Sequence, residues 1–352
     1  MAAPWLYSLV LCVSFPTVGR RFETLDGMRG VAAIAVFFHH ITYYGGSKFL
    51  QSGYLAVDFF FMLSGFVLAR AYDARFAGGL SPFAFLWQRI KRLWPVMAIG
   101  ILSGAAMAYA KGIGVPELTI RTISQILFLP VMAGPFGIYT LDGVQWSLLF
   151  EFFANAIHGM FLWSASLRRL AVTAGAALIA LSIAAWFNGS VGMGAQGADV
   201  LGGIPRVIFS YVVGVLIHRL WSTGRLRVIR APSILVIAAL PLTFIAAGAL
   251  KLFTSAWPVD LLVVAVICPL LLVAGANTPV PPRLRPLAVW LGAISYPLYA
   301  IHLPVLDAAK LLSAGTFTAL AAALVGSTAL AVLFDGRVRL LPSRITSRLA
   351  PS

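Results

Sequence analysis

The sequence predicts an all-α polytopic membrane protein with about ten transmembrane helices and both termini in the cytoplasm. Only 11% of its 352 residues are charged and 60% are hydrophobic, whereas a soluble domain has roughly 25% charged residues to cover its surface. Apolar stretches of roughly 18–22 residues recur from end to end, and each can cross ~30 Å of hydrocarbon as a helix. Basic residues cluster between these stretches, mostly on alternate sides.

The apolar stretches divide the chain into a transmembrane domain and two terminal segments. Residues 1–20 form an apolar N-terminal leader, residues 21–335 the transmembrane domain and residues 336–352 a basic cytoplasmic tail. The leader has no basic residue before Arg20, so we interpret it as an interfacial segment rather than a secretory signal. The ten predicted spans are 29–45, 53–70, 93–111, 144–164, 170–187, 201–220, 233–250, 258–275, 286–308 and 315–335.

The distribution of basic residues predicts the orientation of these spans. Of the 26 Lys and Arg residues, 20 fall on the side of the two termini and six on the other. By the positive-inside rule the side with 20 is the cytoplasm. The net charge of +15 therefore indicates membrane topology and not nucleic-acid binding, because the charges lie at helix ends and form no basic face. The two cysteines have no disulfide or metal-site spacing, and we predict no metal site.

Ionisable side chains inside the spans are the first candidates for a functional site, because such groups are costly in hydrocarbon. One of them lies in the outer half of each of five spans, and we expect the five to share a polar cavity. They are His40, Asp58, Glu151, Arg206 and His302. Arg29 lies eleven residues before His40, so the two share one helix face about 16 Å apart. His39 is turned about 100° from that face, and we interpret it as a packing residue.

A second polar group lies at the cytosolic ends of the spans. It contains Arg29, Arg70, Arg89 and Arg92. Arg89 and Arg92 are three residues apart and can lie side by side on a helix. Paired arginines suit a phosphate group, but basic residues at this side also follow from topology alone. Both interpretations remain open at this stage.

Five motifs in order resemble the acyltransferase 3 family of membrane acyltransferases, which includes O-antigen and other polysaccharide O-acetyltransferases. The resemblance covers about residues 21–335, nearly the whole chain. After Glu151 the segment 152–155 departs from the more polar pattern that is frequent in the family. The motifs are Leu25-Asp26-Gly27-Met28-Arg29-Gly30 with His40, Val57-Asp58 to Phe66, Arg89 and Arg92 with Pro95, Trp146-Ser147-Leu148 with Glu151, and Ile294-Ser295-Tyr296 with Leu298, Tyr299 and His302.

The resemblance implies an enzyme of the inner membrane that transfers an acyl group, usually acetyl, from cytosolic acyl-CoA. The acceptor is a hydroxyl of a carbohydrate or lipid-linked carbohydrate at the outer face, and no cofactor is permanently bound. The family places the catalytic histidine at His40 and associates Arg89 and Arg92 with the acyl donor. With Arg29, these two arginines form the predicted acyl-CoA site.

The mechanism that we predict starts from His40 as the general base, because imidazole can accept a proton at neutral pH. Asp58 or Glu151 could hydrogen-bond its other ring nitrogen, and His302 completes the set of catalytic candidates. The predicted oxyanion-binding or acceptor-binding residues are Arg206, Tyr299, Trp146 and Ser147. The alternative is a transporter or flippase of a lipid-linked sugar that uses the same polar groups. The two halves of the chain show no repeat that would favour it.

Overall fold

The computed structural model describes residues 21–44, 49–131, 137–226 and 231–334. The predicted leader and basic tail lie outside these residues. Within them the chain forms α-helices, short 3₁₀ turns and one isolated antiparallel bridge between Gly137 and Gln196. The helices are α1 (Glu23–Ile41), α2 (Ala56–Ala77), α3 (Pro82–Ala110), α4 (Val115–Ile126), α5 (Gln145–Met160), α6 (Leu167–Asn188), α7 (Gly203–Ser222), α8 (Ser233–Leu250), α9 (Ala256–Leu262), α10 (Cys268–Asn277), α11 (Arg285–Leu311) and α12 (Thr316–Phe334).

Eight of the described helical segments are long and apolar enough to cross a membrane. One of them is continuous from α9 to α10, because a π-helical turn at Val263–Ile267 joins the two. The other two predicted spans are also helical, but α1 contains three charged residues and α5 has only 16 residues. The prediction of an all-helical integral membrane protein is confirmed. The number of ten spans stays a prediction.

Two connections differ from the sequence-based boundaries. The predicted cytosolic loop 71–92 is mostly helical, because α2 continues to Ala77 and α3 begins at Pro82. Ser81 caps α3 by accepting a hydrogen bond from the Ala84 N–H at 3.1 Å, and proline suits the first helical position. The predicted outer loop 112–143 contains α4, whose apolar residues Ile120 and Ile123 are exposed on the protein surface. A search for long apolar spans misses a 12-residue helix of this kind.

The centre of the molecule is the contact between α1 and α11. Gly30 of α1 lies so close to α11 that a Cβ atom added to it would collide with the Leu291 side chain and carbonyl group. On its other sides α11 packs against α3 and α12, while α2 packs against α7. Pro297 and Pro304 lie inside α11 and lack an N–H, so the carbonyl groups four residues before each have no helical donor. Helices α2 and α11 are largely buried, whereas α12 exposes most of its surface.

Candidate active site

Two histidines meet across the contact between α1 and α11. His40, in the last turn of α1, places its Nδ1 atom 3.0 Å from Nε2 of His302. The two ring centroids are 4.9 Å apart. His302 is fully buried, and His40 is partly exposed. The sequence predicted both histidines as catalytic candidates, but not that they form a hydrogen-bonded pair.

The hydrogen bonds around this pair determine which nitrogen of each ring is protonated. Nδ1 of His302 lies 2.8 Å from the Tyr299 carbonyl oxygen and 3.2 Å from that of Leu298, so it carries the proton and donates. Nε2 of His302 then accepts a hydrogen bond from Nδ1–H of His40. The Val36 carbonyl oxygen, 3.0 Å from the same Nδ1, is a second acceptor for that proton. Neutral His40 therefore has its basic lone pair on Nε2.

A cavity of about 340 Å³ lies between α2, α3, α5, α11 and the last turns of α12. Its polar lining comes mainly from the arginine-rich ends of these helices. Of the five residues predicted to share an outer cavity, only Glu151 lines it. The polar lining residues include Arg29, Ser64, Arg75, Arg89, Arg92, Ser147, Glu151, Ser295, Tyr296 and Tyr299.

Glu151 lies beside Arg89 in the cavity and not beside His40, with which it was predicted to share an outer cavity. Its Oε1 atom accepts hydrogen bonds from Arg89 Nη2 and from the Ser64 hydroxyl, both at 2.9 Å. The prediction placed the fourth span from residue 144, whereas α5 begins at Gln145 after the non-helical residues 138–142, of which all but Thr140 are buried. Glu151 is therefore the ion-pair partner of Arg89 and does not hydrogen-bond His40.

The three arginines of the predicted donor site occupy different environments. Arg89 is 7% exposed and paired with Glu151, whereas Arg92 is exposed where it lines the cavity. Arg29 donates to the Gly292 carbonyl of α11 and lies 3.4 Å from Asp26. Its side chain thus faces α11, as does His40, which confirms the prediction that the two share one helix face.

Asp58 and Arg206 form a separate buried ion pair. Nη2 of Arg206 lies 2.8 Å from Asp58 Oδ2, and its Nε lies 3.0 Å from Oδ1. The guanidinium also donates to the Met193 carbonyl at 2.8 Å and the Tyr54 carbonyl at 3.0 Å, and it lies over the Trp146 ring at 5.3 Å. The prediction that Asp58 or Glu151 hydrogen-bonds His40 is wrong, because Asp58 pairs with Arg206 and Glu151 with Arg89. The prediction of one cavity shared by five residues is also wrong. Those five residues are His40, Asp58, Glu151, Arg206 and His302. A buried charge without a partner is strongly destabilising, so a buried arginine and a buried carboxylate that lie close together form an ion pair.

Ser147 and Tyr299 connect the cavity with the histidine pair. Their hydroxyl oxygens are 2.6 Å apart, and both residues line the cavity. The Tyr299 ring is 5.9 Å from that of His302, one turn further along α11. A bound molecule that extends from the arginines to Tyr299 would therefore approach the histidines. Arg206 does not line the cavity, and its N–H groups donate to Asp58, Met193 and Tyr54 instead.

Sequence reasoning missed several polar clusters in the described part of the chain. Nε2 of His158 donates to Asp73 Oδ1 at 2.9 Å, and Arg219 also contacts Asp73 at 3.1 Å. Asp260 is fully buried, accepts from the Tyr54 hydroxyl at 2.6 Å and pairs with Lys251. His158 and Asp260 lie in predicted spans, so the cost of ionisable groups in hydrocarbon could have identified them. Asp73 lies just beyond its predicted span and gave no such signal.

Comparison with known proteins identifies the family. The profile of the acyltransferase domain family matches residues 22–336. The chain belongs to this family. The match confirms the resemblance that the motifs indicated and makes the protein an integral membrane acyltransferase.

The acyltransferase is also similar to individual bacterial proteins. It is 34% identical over 186 residues to a Rhizobium radiobacter protein described as protein 2 in the picA locus, which covers 47% of the chain and 95% of that protein. It is 30% identical over 179 residues to the exopolysaccharide production protein ExoZ of Rhizobium meliloti strain 1021, which covers 49% of the chain and 52% of that protein. In this second case the chain spans about half of its relative. No solved structure matches the chain.

Proposed function

We propose that this acyltransferase transfers an acetyl group from cytosolic acetyl-CoA to a hydroxyl of a carbohydrate at the outer face of the inner membrane, with His40 as the general base. The supporting observation is that α11 lines an arginine-rich cavity towards one end and, together with α1, carries a histidine pair towards the other. The distribution of basic residues supports a cytosolic position for the arginine-lined end. The exopolysaccharide relative supports a carbohydrate or lipid-linked carbohydrate as the acceptor.

The donor binds from the cytosolic side in this proposal. Coenzyme A carries phosphate groups, which suit the guanidinium of Arg92 at the cavity and the nearby Arg75. Its thioester end extends along the cavity towards Ser147 and Tyr299. Arg89 forms an ion pair with Glu151 in the lining of the cavity. It thereby holds in place the surface against which the donor binds.

The histidine pair performs the proton transfers. The acceptor hydroxyl gives its proton to Nε2 of His40 while its oxygen attacks the carbonyl carbon of the thioester. The positive charge on His40 is shared with His302, whose Nε2 accepts the Nδ1–H hydrogen bond. The Tyr299 hydroxyl can turn from Ser147 to donate to the oxyanion. When the carbon–sulfur bond breaks, His40 returns the proton to the thiolate, and the products are the acyl ester and coenzyme A.

The decisive experiment is acetyl transfer by purified protein in lipid nanodiscs with radiolabelled acetyl-CoA and an oligosaccharide acceptor. We expect His40→Ala to lower the rate by at least about 100-fold, because a general base contributes 10²–10⁴-fold in enzymes. Binding of coenzyme A should change little. The matched control is His39→Ala, since His39 donates to the Gln51 carbonyl at 2.7 Å and its ring packs against Tyr54.

Two outcomes would contradict the proposal at different points. Full activity of the His40→Ala variant would reject His40 as the general base but would leave the proposed reaction unchanged. Absence of thioester cleavage by the wild type with any carbohydrate acceptor would reject acyl-CoA as the donor. It would favour the alternative of a transporter or flippase for a lipid-linked sugar.

A further inference from the structure

The contact between α1 and α11 continues beyond the histidine pair with a second pair of polar residues. The Tyr44 hydroxyl donates to Oδ1 of Asp307 at 2.9 Å. Tyr44 is four residues after His40, and Asp307 is five residues after His302. The rise per residue places this pair about 6–8 Å further out along the same two segments. It lies on the side away from the arginine-lined cavity.

Two lysines join this pair. Lys111, at the end of α3, lies 2.7 Å from Oδ1 of Asp307, and the Lys310 ammonium lies 5.7 Å from the Tyr44 ring centroid. Both lysines are exposed, whereas Tyr44 and Asp307 are half-buried. We call these four residues the Tyr44–Asp307 patch. Its one carboxylate and two ammonium groups leave a net charge of +1.

The position of these lysines is unusual for this chain. Only six of its 26 basic residues fall on the predicted outer side, and two of the six converge on the Tyr44–Asp307 patch. The position of Lys111 follows from its ion pair with Asp307, which joins α3 to α11. Asp307 does not account for the position of Lys310 in the same way, because Lys310 forms no ion pair with a carboxylate among the described residues.

We propose that the Tyr44–Asp307 patch binds an anionic group of the acceptor, next to the sugar that is acylated. This inference rests on the proposed function and specifies its substrate class. The lysine ammonium groups would attract a carboxylate or phosphate. The Tyr44 ring offers a face for the apolar side of a sugar, and Asp307 can accept from a hydroxyl. A saccharide bound here would place a neighbouring hydroxyl at His40, because one sugar ring spans a comparable distance.

The anionic group could belong to the sugar or to a lipid carrier, and three acceptors distinguish these sources. The first is an oligosaccharide that contains glucuronic acid. The second is the same oligosaccharide with its carboxylates reduced to hydroxyls. The third is the reduced oligosaccharide attached to a polyprenyl diphosphate. A lower KM for the first than for the second identifies the carboxylate, and a lower KM for the third identifies the phosphate.

The test variant is Lys310→Gln, because Lys310 is exposed and its loss should not disturb the fold. We expect it to raise KM for the anionic acceptor by about fivefold at low salt, which corresponds to one exposed charge interaction. Neither kcat, nor KM for acetyl-CoA, nor KM for the neutral oligosaccharide should change. Lys310→Arg should restore the preference, and added salt should reduce it. The matched control is Arg121→Ala, an outer basic residue paired with Glu117 on α4.

Equal KM values for all three acceptors would overturn the proposal. So would an equal increase in KM for the neutral and the anionic acceptor in Lys310→Gln, which would make the patch a structural contact. Equilibrium binding of the first two oligosaccharides without acetyl-CoA separates this inference from the proposed function. Preferential binding of the acidic oligosaccharide without any acetyl transfer would reject the reaction but keep the subsite. Acetyl transfer without a charge preference would reject only the subsite.

Discussion

Arg89 and Arg92 are three residues apart in α3, yet they are expected to respond differently to mutation. Arg89 is buried against Glu151, so its removal leaves a carboxylate without its ion pair, which is strongly destabilising in a buried environment. Arg92 is exposed where it lines the cavity. A change at Arg92 therefore tests the proposed binding of the donor, whereas a change at Arg89 affects folding first.

We expect Arg92→Ala to raise KM for acetyl-CoA by about tenfold while kcat changes little, because a charge-assisted hydrogen bond to phosphate contributes roughly 1.5–3 kcal/mol. The control is Lys91→Ala, since the Lys91 ammonium lies over the Trp87 ring at 5.3 Å and does not line the cavity. Initial rates at varied acetyl-CoA concentration measure both variants. An equal effect of the two substitutions would return Arg92 to a purely topological role.

Asp142 is a buried residue that the proposed mechanism does not use. It lies in the non-helical connection between α4 and α5, and neither carboxylate oxygen has a donor among the described residues. One oxygen lies against Gly100 of α3, beside the Ala300 carbonyl. Burial raises the pKa of Asp142 to about 8, because removal of the carboxylate from water disfavours its charged form more than the Val144 backbone N–H favours it. The side chain is therefore neutral at pH 7.

The charge state of Asp142 predicts how stability depends on pH. The folded protein keeps the proton up to about pH 8, whereas the unfolded chain loses it near pH 3.8. Between these values the unfolded state binds fewer protons, so the contribution of Asp142 to stability falls as pH rises. Asp142→Asn should remove this decline. Thermal unfolding of both proteins at pH 5 and pH 8 measures it, and an identical pH dependence would show that Asp142 is ionised.

At the scale of elements, the closest helix contact also determines the site. Gly30 brings α1 against the backbone of α11 at Leu291, and the same two helices carry His40 and His302. Gly30→Ala should separate the two helices and cost roughly 1–3 kcal/mol, as overpacking does. We expect a lower thermal stability together with a lower rate of acetyl transfer.

Gly175→Ala is the control for this experiment, because α6 leaves open space around that position. There the substitution should stabilise the helix by about 0.5–1 kcal/mol through helix propensity alone. If both alanine variants behave alike, the close approach of α1 to α11 is not what positions the histidines.

The sequence predicted the long helices but not their neighbours. Apolar runs and their cost in hydrocarbon identified the spans and most of their ionisable residues. The ion pairs and hydrogen bonds that these residues form depend on which helices pack against each other. A single sequence does not contain that information. Asp58 and Glu151 were therefore both considered as partners of His40, although Arg206 of α7 lies beside Asp58 and Arg89 of α3 beside Glu151. The amphipathic helix α4 and the early start of α3 were missed because neither has the composition of a span.

At the scale of the whole molecule, the orientation in the membrane determines which substrate arrives from which side. The distribution of basic residues predicts that the end of α7 faces the cytosol and that the turn before α12 faces outwards. Single cysteines at Ser222 and Gly315 test this in a background without Cys12 and Cys268. A membrane-impermeant thiol reagent added to intact spheroplasts should label Gly315→Cys and not Ser222→Cys. The reverse labelling would invert the roles of the two membrane faces.

The two prolines inside α11 affect how this helix can move. Pro297 and Pro304 enclose the segment that carries Tyr299 and His302, and each leaves one carbonyl four residues earlier without a helical donor. A helix that lacks two backbone hydrogen bonds bends more easily at those points. The middle of α11 can thus flex as a hinged section while both ends stay packed. In the proposed reaction, such bending of α11 would let the acyl group pass between substrates on opposite sides without a continuous path for ions.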